Sequence, residues 1–337
     1  MSRSFPFLLF LALALAACDS GSLDPSTPGN PGVPGQALPG YPVVIDSLWG
    51  FIDQEGRIQV TPRFDFAGGF YDSLAAVQQG AQWGYAGPSG ALAISAQFDG
   101  AGRFAEGLAP VKQGTAWGFV RADGSMAINA TYEAARSFAE GRAAVRSSFQ
   151  WGFIGPGGNA VIQPQYASVS DFSEGLAAVQ TPEGWRYIDT EGTTAIAGPY
   201  VDAGAFSEGL APVQIGDAWG YIDTTGNIVL NPTYDEAGPF RADAARVREG
   251  ELYAYITRDG EYLVIPKVRQ AGDFYEGLAA VSFNDHWTYI RRADGLVIRS
   301  PRFDTASPFR GGLAQVTIDG EVGYIDASGE FVWAPTY

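Results

Sequence analysis

The sequence predicts an all-β protein, built as an open, solenoid-like tandem array of nine three-stranded antiparallel units. Three observations predict this fold class: an aromatic–glycine–aromatic motif at a fixed interval, a period-two alternation of apolar residues after each motif, and a glycine-containing turn between the two. A fixed period in the range of roughly 20–50 residues is typical of repeat architectures. The 337 residues are therefore interpreted as one long array rather than as two or three separate domains.

The motif is represented by Trp219-Gly220-Tyr221-Ile222-Asp223, which is one of nine related copies. The first eight copies start 34 residues apart, and the ninth starts 35 residues after the eighth. Tyr253 and Val322 open two of the copies. Tryptophan opens the other seven, at Trp49, Trp83, Trp117, Trp151, Trp185, Trp219 and Trp287. Because these tryptophans share one position in the repeat, we expect them to form the repeated hydrophobic core; stacking of sugars on the same rings is the alternative.

Each unit is predicted to span about 34 residues and to contain three strands joined by turns. In the second unit the first strand is Leu74-Ala75-Ala76-Val77, and the second strand starts at Trp83. The third strand alternates apolar with other residues, as residues 228–234 do, which is typical of a strand with one buried face. Prolines in this strand, such as Pro232, cannot donate a ladder hydrogen bond and therefore indicate an edge strand or the end of a strand.

A turn that ends in glycine joins the second strand to the third, for example at Thr224-Thr225-Gly226. Glycine accepts the positive φ that hairpin turns of this kind require. The extra residue that lengthens one repeat falls in this turn, within residues 291–295. Since insertions are tolerated best in surface loops, its position supports the hairpin assignment.

A Phe-x-Glu-Gly segment links the third strand of one unit to the first strand of the next. Copies lie at residues 104–107, 138–141, 172–175, 206–209 and 274–277. We expect the phenylalanine to fill the junction between units and the glycine to form a tight corner. The glutamate is expected to accept backbone N–H bonds at that corner rather than to bind a ligand.

The array is predicted to extend over residues 41–337 as nine units, because Val43 stands where Val77 stands relative to its tryptophan. An open stack is favoured, since each unit would complete the core of its neighbours and both ends fall on unit boundaries. The alternative is a closed β-propeller, whose blades usually have four strands and number about four to eight.

The first forty residues predict a lipid anchor followed by a tether. Residues 1–17 resemble a lipoprotein signal peptide, with a 13-residue apolar or small run from Phe5 to Ala17 that is too short for a transmembrane helix. It ends in Leu15-Ala16-Ala17-Cys18, so Cys18 is the predicted lipidation site and mature N-terminus. Residues 18–40 are rich in Pro, Gly and Ser, which predicts a disordered linker.

The composition argues against several functions. The formal charge of −16 disfavours nucleic acid as a partner, because phosphate backbones attract Lys and Arg. The single histidine, His286, and the single cysteine leave no cluster typical of a zinc site, and His286 is expected in a polar surface loop. No nucleophile–base signature or phosphate-binding glycine loop is present, so the sequence predicts no enzyme, no metal and no cofactor.

These motifs, in this order and spacing, resemble the bacterial WG-repeat (KWG-repeat) family, and the resemblance covers nearly all of residues 41–337. The sequence departs from the pattern at Arg186, Ala254 and Thr288 in place of the glycine, and at residues 241–244 in place of Glu-Gly-Leu. The resemblance implies a β repeat protein of the interaction-module kind and no particular reaction.

The predicted function is that of a lipid-anchored cell-envelope protein acting as a protein-binding or scaffold module. Recognition of peptidoglycan or another glycan is the alternative function. The expected partners are the membrane, through lipid on Cys18, and other envelope proteins. Asp19, directly after the cysteine, favours the inner membrane under a rule that differs between bacterial groups, so the sequence leaves the inner and outer membranes, and the periplasmic and surface-facing sides, as alternatives.

Overall fold

A computed structural model describes residues 40–263, 267–283, 286–295, 297–298 and 302–334. Within these residues the chain forms nine antiparallel sheets that follow one another along the sequence. We number them blades 1 to 9 and letter their strands a to d in chain order. The predicted signal peptide, Cys18 and nearly all of the predicted linker lie outside the described residues.

Strands b and c are present in all nine blades and pair as a hairpin. Strand b comprises β1 (Tyr41–Ile45), β5 (Leu74–Gln79), β9 (Leu108–Gln113), β13 (Ala143–Ser147), β16 (Leu176–Thr181), β20 (Leu210–Ile215), β24 (Ala244–Glu249), β27 (Leu278–Phe283) and β30 (Leu313–Ile318). Strand c comprises β2 (Leu48–Ile52), β6 (Gln82–Ala86), β10 (Ala116–Arg121), β14 (Gln150–Ile154), β17 (Gly184–Asp189), β21 (Ala218–Asp223), β25 (Leu252–Thr257), β28 (His286–Arg291) and β31 (Glu321–Asp326).

Strands a and d flank this hairpin, one on each side, in most blades. Strand d comprises β3 (Ile58–Phe64), β7 (Leu92–Phe98), β11 (Met126–Tyr132), β15 (Ala160–Tyr166), β18 (Thr194–Tyr200), β22 (Ile228–Tyr234) and β32 (Phe331–Trp333). Strand a comprises β4 (Phe66–Tyr71), β8 (Gly100–Ala101), β12 (Ala134–Ala135), β19 (Asp202–Ala203), β23 (Glu236–Ala237), β26 (Gln270–Ala271) and β29 (Thr305–Ala306).

The prediction of three strands per unit is therefore incomplete. Blades 2, 3, 4, 6 and 9 have four strands, because strand a precedes strand b in each of them. Outside blade 2 this strand has only two residues, such as Ala134–Ala135 pairing with Arg146 and Val145. Two residues are too few to produce an alternation pattern, so strand a was hidden within the predicted connection.

An aromatic pair joins each blade to the next. The aromatic residue two positions after the repeat tryptophan packs against a phenylalanine of the following blade, with ring centroids between 4.7 Å for Tyr85–Phe104 and 5.1 Å for Phe119–Phe138. Most of these pairs are edge-to-face, the geometry that the ring quadrupoles favour. The expectation that the phenylalanine fills the junction between units is confirmed.

The same kind of contact joins blade 9 to blade 1. The rings of Tyr324 and Tyr41 meet edge-to-face at 5.7 Å, and the Tyr324 hydroxyl donates to the carbonyl oxygen of Pro42 at 2.7 Å. Val43 and Leu313 are buried in the same hydrophobic cluster. The Tyr41 hydroxyl and the Gln54 side-chain amide (3.0 Å) both donate to the Gly311 carbonyl oxygen.

The predicted open array is therefore wrong, and the molecule is a closed, nine-bladed β-propeller. The prediction took unit boundaries at both ends as evidence against closure. Among the described residues, blades 1 and 9 close the ring through side chains without sharing a strand, so boundaries of this kind do not exclude a ring.

Candidate functional site

The turns between strands a and b carry a chain of carboxylates that links neighbouring blades. Glu140 of blade 4 accepts the backbone N–H groups of Glu174 and Gly175 in blade 5, both at 2.8 Å. Glu208 likewise accepts from Ala242 at 2.6 Å and Asp243 at 2.8 Å. Bonds of the same kind start from Asp72, Glu106, Glu174 and Glu276. The expectation of corner carboxylates that accept backbone N–H bonds is confirmed.

These turns lie on the same side of the ring as the turns between strands c and d. The guanidinium of Arg258, in the c–d turn of blade 7, donates to the carbonyl oxygen of Glu208 in the a–b turn of blade 6. The Arg292 guanidinium donates to the Asp243 carbonyl oxygen at 3.3 Å in the same way. We call this side the a–b face; it is held together by side-chain to backbone bonds between blades.

A partly buried ionic network connects blades 7 and 8. The Arg246 guanidinium lies 3.4 Å from a carboxylate oxygen of Asp273 and 3.4 Å from one of Glu236, and it stacks on the Tyr253 ring at 5.0 Å. Burial raises the pKa of Asp273, and Arg246 opposes that shift. Because every charge in the network has an opposite charge nearby, we interpret it as a structural contact between blades.

The tryptophans that the sequence predicts as core residues are buried to different degrees. Trp117 and Trp151 are 7% exposed, whereas Trp49, Trp83, Trp185, Trp219 and Trp287 are half-buried. Arg136 and Arg146 cover the Trp151 ring at 4.9 and 5.8 Å. This packing leaves little of the Trp151 ring for a sugar to stack on.

The other predicted residues behave differently. Cys18 lies outside the described residues, so its lipidation stays a prediction. His286 is not in a loop as expected: it is half-buried and opens strand c of blade 8, paired with Phe283.

In the part of the chain that the structure describes, no group of three or more His, Cys, Asp and Glu side chains is arranged to hold a metal ion. Across the same residues, no helix has the length and apolar character needed to span a bilayer.

The opposite side of the ring is formed by the turns between strands b and c and by the links from strand d to strand a. We call it the b–c face. In blades 2, 3 and 7 an aspartate of the link accepts the N–H of a turn glycine at 2.6 Å. These pairs are Asp65 with Gly80, Asp99 with Gly114, and Asp235 with Gly250.

Blade 4 makes the same kind of bond, from the Phe149 N–H to the Glu133 carboxylate at 3.0 Å, whereas no such bond can form in blade 6. Both blades present large apolar side chains on this face. Val201 occupies the link position where Asp65 stands in blade 2 and is 59% exposed; Ile215, at the adjacent end of strand b, is 39% exposed. Phe149 is 82% exposed at the tip of the b–c turn of blade 4, with φ of +63°. Aligning the repeats could have found Val201, which stands at a mostly acidic position, and Phe149, whose counterparts in blades 2 and 3 are Ala81 and Thr115. The sequence analysis followed only the recurring residues.

Comparisons with known proteins agree with this architecture. Eight segments match the family described as WG containing repeat, at residues 49–82, 83–114, 117–147, 151–181, 185–217, 219–253, 253–287 and 287–321. The crystal structure of a eukaryotic initiation factor superposes with a TM-score of 0.64 at 12% identity, covering 88% of this chain and 94% of that one. This likeness shows the shared propeller fold alone.

Two further solved structures are more distant. BamB from Moraxella catarrhalis has a TM-score of 0.45 at 13% identity, covering 86% of this chain and 91% of that one. Dihydro-heme d1 dehydrogenase NirN has a TM-score of 0.48 at 12% identity, covering 90% and 74%. No curated protein sequence matches this chain.

Proposed function

The chain belongs to the family of WG-containing repeat proteins, and from this premise we propose that it is a lipid-anchored cell-envelope protein whose propeller is a scaffold for protein partners. The observation that carries the scaffold function is the exposure of large apolar side chains on the b–c face, above all Phe149 at 82%. Exposed apolar residues grouped on one face are typical of protein-interaction sites.

The rigid framework of the ring supports the same proposal. The aromatic pairs and the carboxylates of the a–b face are engaged in contacts between blades, as in Tyr85–Phe104 and in Glu140 with Gly175. A ring held in this way presents loop residues on a fixed scaffold, which lowers the entropy lost when a partner binds.

The lipid anchor and the envelope location are the second part of the proposal. They are supported by the apolar run that ends in Leu15-Ala16-Ala17-Cys18 and by the Pro- and Gly-rich linker of residues 18–40. In this arrangement the acyl chains on Cys18 hold the protein at the membrane, and the linker holds the propeller away from the bilayer.

The scaffold function is tested by chemical crosslinking in native membranes followed by purification of the full chain. We expect defined envelope proteins to co-purify reproducibly, and purified peptidoglycan sacculi to retain none of the protein. Retention on sacculi together with an absence of crosslinked proteins would favour glycan recognition and contradict the scaffold function.

The anchor is tested by metabolic labelling with a radioactive fatty acid. We expect Cys18→Ala to abolish the label and to leave an uncleaved precursor, because the thiol that carries the lipid is gone. Label that persists in this variant would show that the chain is acylated elsewhere or not through this signal.

A further inference from the structure

The b–c face of blades 4 to 6 departs from the rest of the ring in a way that folding does not require. The link position before strand b is acidic in blades 2, 3, 4, 7 and 9, whereas blade 6 has Val201 there. In blade 2 the Asp65 carboxylate accepts the Gly80 N–H at 2.6 Å. The counterparts of these two residues in blade 6 are Val201 and Gly216, and the Val201 side chain has no oxygen that could accept the Gly216 N–H. Blade 6 has thus exchanged a hydrogen bond for exposed apolar surface.

Phe149 departs in a second, independent way. The turns of blades 2, 3, 6 and 7 open with a glycine, whereas blades 1 and 4 use two non-glycine residues with positive φ, Asp46–Ser47 and Ser148–Phe149. Of these four residues only Phe149 is bulky and apolar. An aromatic residue is rarely found with positive φ, and strain of this kind persists mainly at functional sites. Since Phe149 is 82% exposed, packing within the ring cannot account for this conformation.

The charge of the same face defines the partner. In the described b–c turns and d–a links, ten residues are acidic and one, Arg269, is basic. Arginines on strands b and c pair with three of the ten: Arg146 with Glu133, Arg186 with Glu183 and Arg248 with Asp235. The face therefore keeps an excess of negative charge. The acidic residues are Asp46, Asp65, Asp99, Glu133, Glu183, Asp217, Asp235, Glu251, Asp304 and Asp319. Asp217 lies two residues after Ile215 and is exposed. A ligand for this surface must therefore combine apolar side chains with positive charge.

We propose that the b–c face of blades 4 to 6 is the docking site for a cationic segment of a partner protein, with Phe149 and the Val201–Ile215 pair as its apolar anchors. The proposal rests on the scaffold function and names the chemistry of its partner. The apolar anchors supply affinity, as buried aromatic residues do in other interfaces, and the surrounding carboxylates orient the Lys and Arg residues of the segment.

The test uses the full chain in nonionic detergent and two synthetic peptides of equal charge. One peptide alternates lysine with leucine; in the other, serine replaces every leucine. We expect the leucine peptide to bind at least about 10-fold more tightly than the serine peptide, because only the first can cover the apolar anchors. Equal affinity of the two peptides would overturn the proposal.

Two variants separate the anchors from general electrostatic attraction. Val201→Asp installs the aspartate that blades 2, 3 and 7 have, and Phe149→Gly relieves the positive φ, so both should fold with a Tm equal to or above that of the parent. Each is expected to weaken binding of the leucine peptide about 10-fold. Val201→Asp also adds a negative charge, so attraction by charge alone predicts tighter binding, and that result would overturn the proposal.

Ile228→Thr is the matched control. Ile228 is 51% exposed on strand d of blade 6, away from the b–c face, and Thr194 stands at the equivalent position in blade 5. This variant should bind the leucine peptide as the parent does. If the peptides bind with the expected difference in affinity, the docking site is supported even when no envelope protein is crosslinked. If both anchor variants still crosslink the same partners as the parent, the scaffold function stands and this docking site is overturned.

Discussion

At the residue scale, the glycine after the repeat tryptophan is required by the backbone of strand d. A Cβ at Gly152 would lie 2.5 Å from the carbonyl oxygen of Ile162 and 2.6 Å from the nitrogen of Pro164. The close approach results from a bulge, because strand d has an irregular register between Trp151 and Phe153 of strand c. The motif is therefore a steric consequence of how strands c and d pair.

Three blades depart from this glycine. Ala254 and Thr288 stand in blades 7 and 8, where the counterparts of Gln163 and Pro164 lie outside the described residues. Arg186 of blade 5 faces a strand d that has its own glycine, Gly198, with φ of +65°.

We expect Gly152→Ala to destabilise the protein by about 1–3 kcal/mol, because the methyl group meets backbone atoms that cannot rotate away. Denaturant unfolding followed by tryptophan fluorescence measures the change. Gly87→Ala is the control, since its Cβ would be 3.9 Å from the nearest atom, the Ala91 carbonyl oxygen, and its cost should stay within about 0.5 kcal/mol. Equal costs for the two variants would contradict the steric explanation.

The aspartate four residues after the tryptophan organises the c–d turn. One carboxylate oxygen of Asp223 accepts the N–H of Thr225 at 2.9 Å, the Thr225 hydroxyl at 2.6 Å and the N–H of Asn227 at 2.9 Å. These bonds favour the ionised form and, with the Thr225 hydroxyl as the largest contributor, lower the pKa of Asp223 to about 2.

The resulting pH dependence has a defined sign. Since the folded pKa lies below the unfolded one, the bonds of Asp223 stabilise the turn above the unfolded pKa of about 3.9 and are lost as the pH falls through about 2. Carbon-13 NMR of the carboxyl group should show a midpoint near the lower value. Thr225→Val should raise that midpoint, because the hydroxyl donor is removed; an unchanged midpoint would contradict the assignment.

At the element scale, the a–b turns couple each blade to its neighbour. Blade 4 reaches blade 5 through both oxygens of Glu140. The chain of carboxylates is interrupted at blade 7, where Ala242 replaces the glutamate, and at blade 9, where Gly311 does. At blade 9, the Gly311 carbonyl oxygen accepts bonds from Tyr41 and Gln54 of blade 1 instead.

We expect Glu140→Ala to destabilise the fold by about 1 kcal/mol, because two backbone N–H groups of blade 5 lose their charged acceptor and turn to water. Thermal unfolding and hydrogen exchange at Glu174 and Gly175 both report the loss. Glu55→Ala, at an exposed position of the c–d turn in blade 1, is the control and should change stability little. Unaltered exchange at Glu174 and Gly175 would contradict the coupling.

At the scale of the whole molecule, closure makes stability depend on the ninth interface. Tyr324 and Tyr41 meet across it, and Leu313 is buried with them. An open array would lose only one neighbour contact when its last unit is removed. A ring that loses a blade exposes two apolar faces at once.

Deletion of residues 314–337 is therefore expected to unfold the propeller or to open it wholesale. Circular dichroism and solution scattering measure the outcome. The parent should scatter as a compact disc, and the deletion variant as an expanded chain. A parent with an elongated or arc-shaped envelope, or a deletion variant that keeps a cooperative transition at slightly lower stability, would contradict the closed ring.

The candidate site was predictable only in its structural part. The corner glutamates were predicted because they recur and because the physical role of a carboxylate at a tight corner is local. Phe149 and Val201 were not predicted, because each occurs once and its exposure depends on which side of the ring its turn occupies. A single apolar residue in a turn has no meaning in the sequence until the blades are assembled.

The sequence by itself determined the all-β class, the nine units and the hairpin of strands b and c, because period and alternation are properties of neighbouring residues. Only the tertiary structure decided that the units close. Closure depends on the small rotation between successive blades, summed over nine of them, and on a contact between Tyr324 and Pro42 that lie 282 residues apart. No local pattern encodes that sum, and Tyr41 fills the place of the junction phenylalanine without sharing its motif.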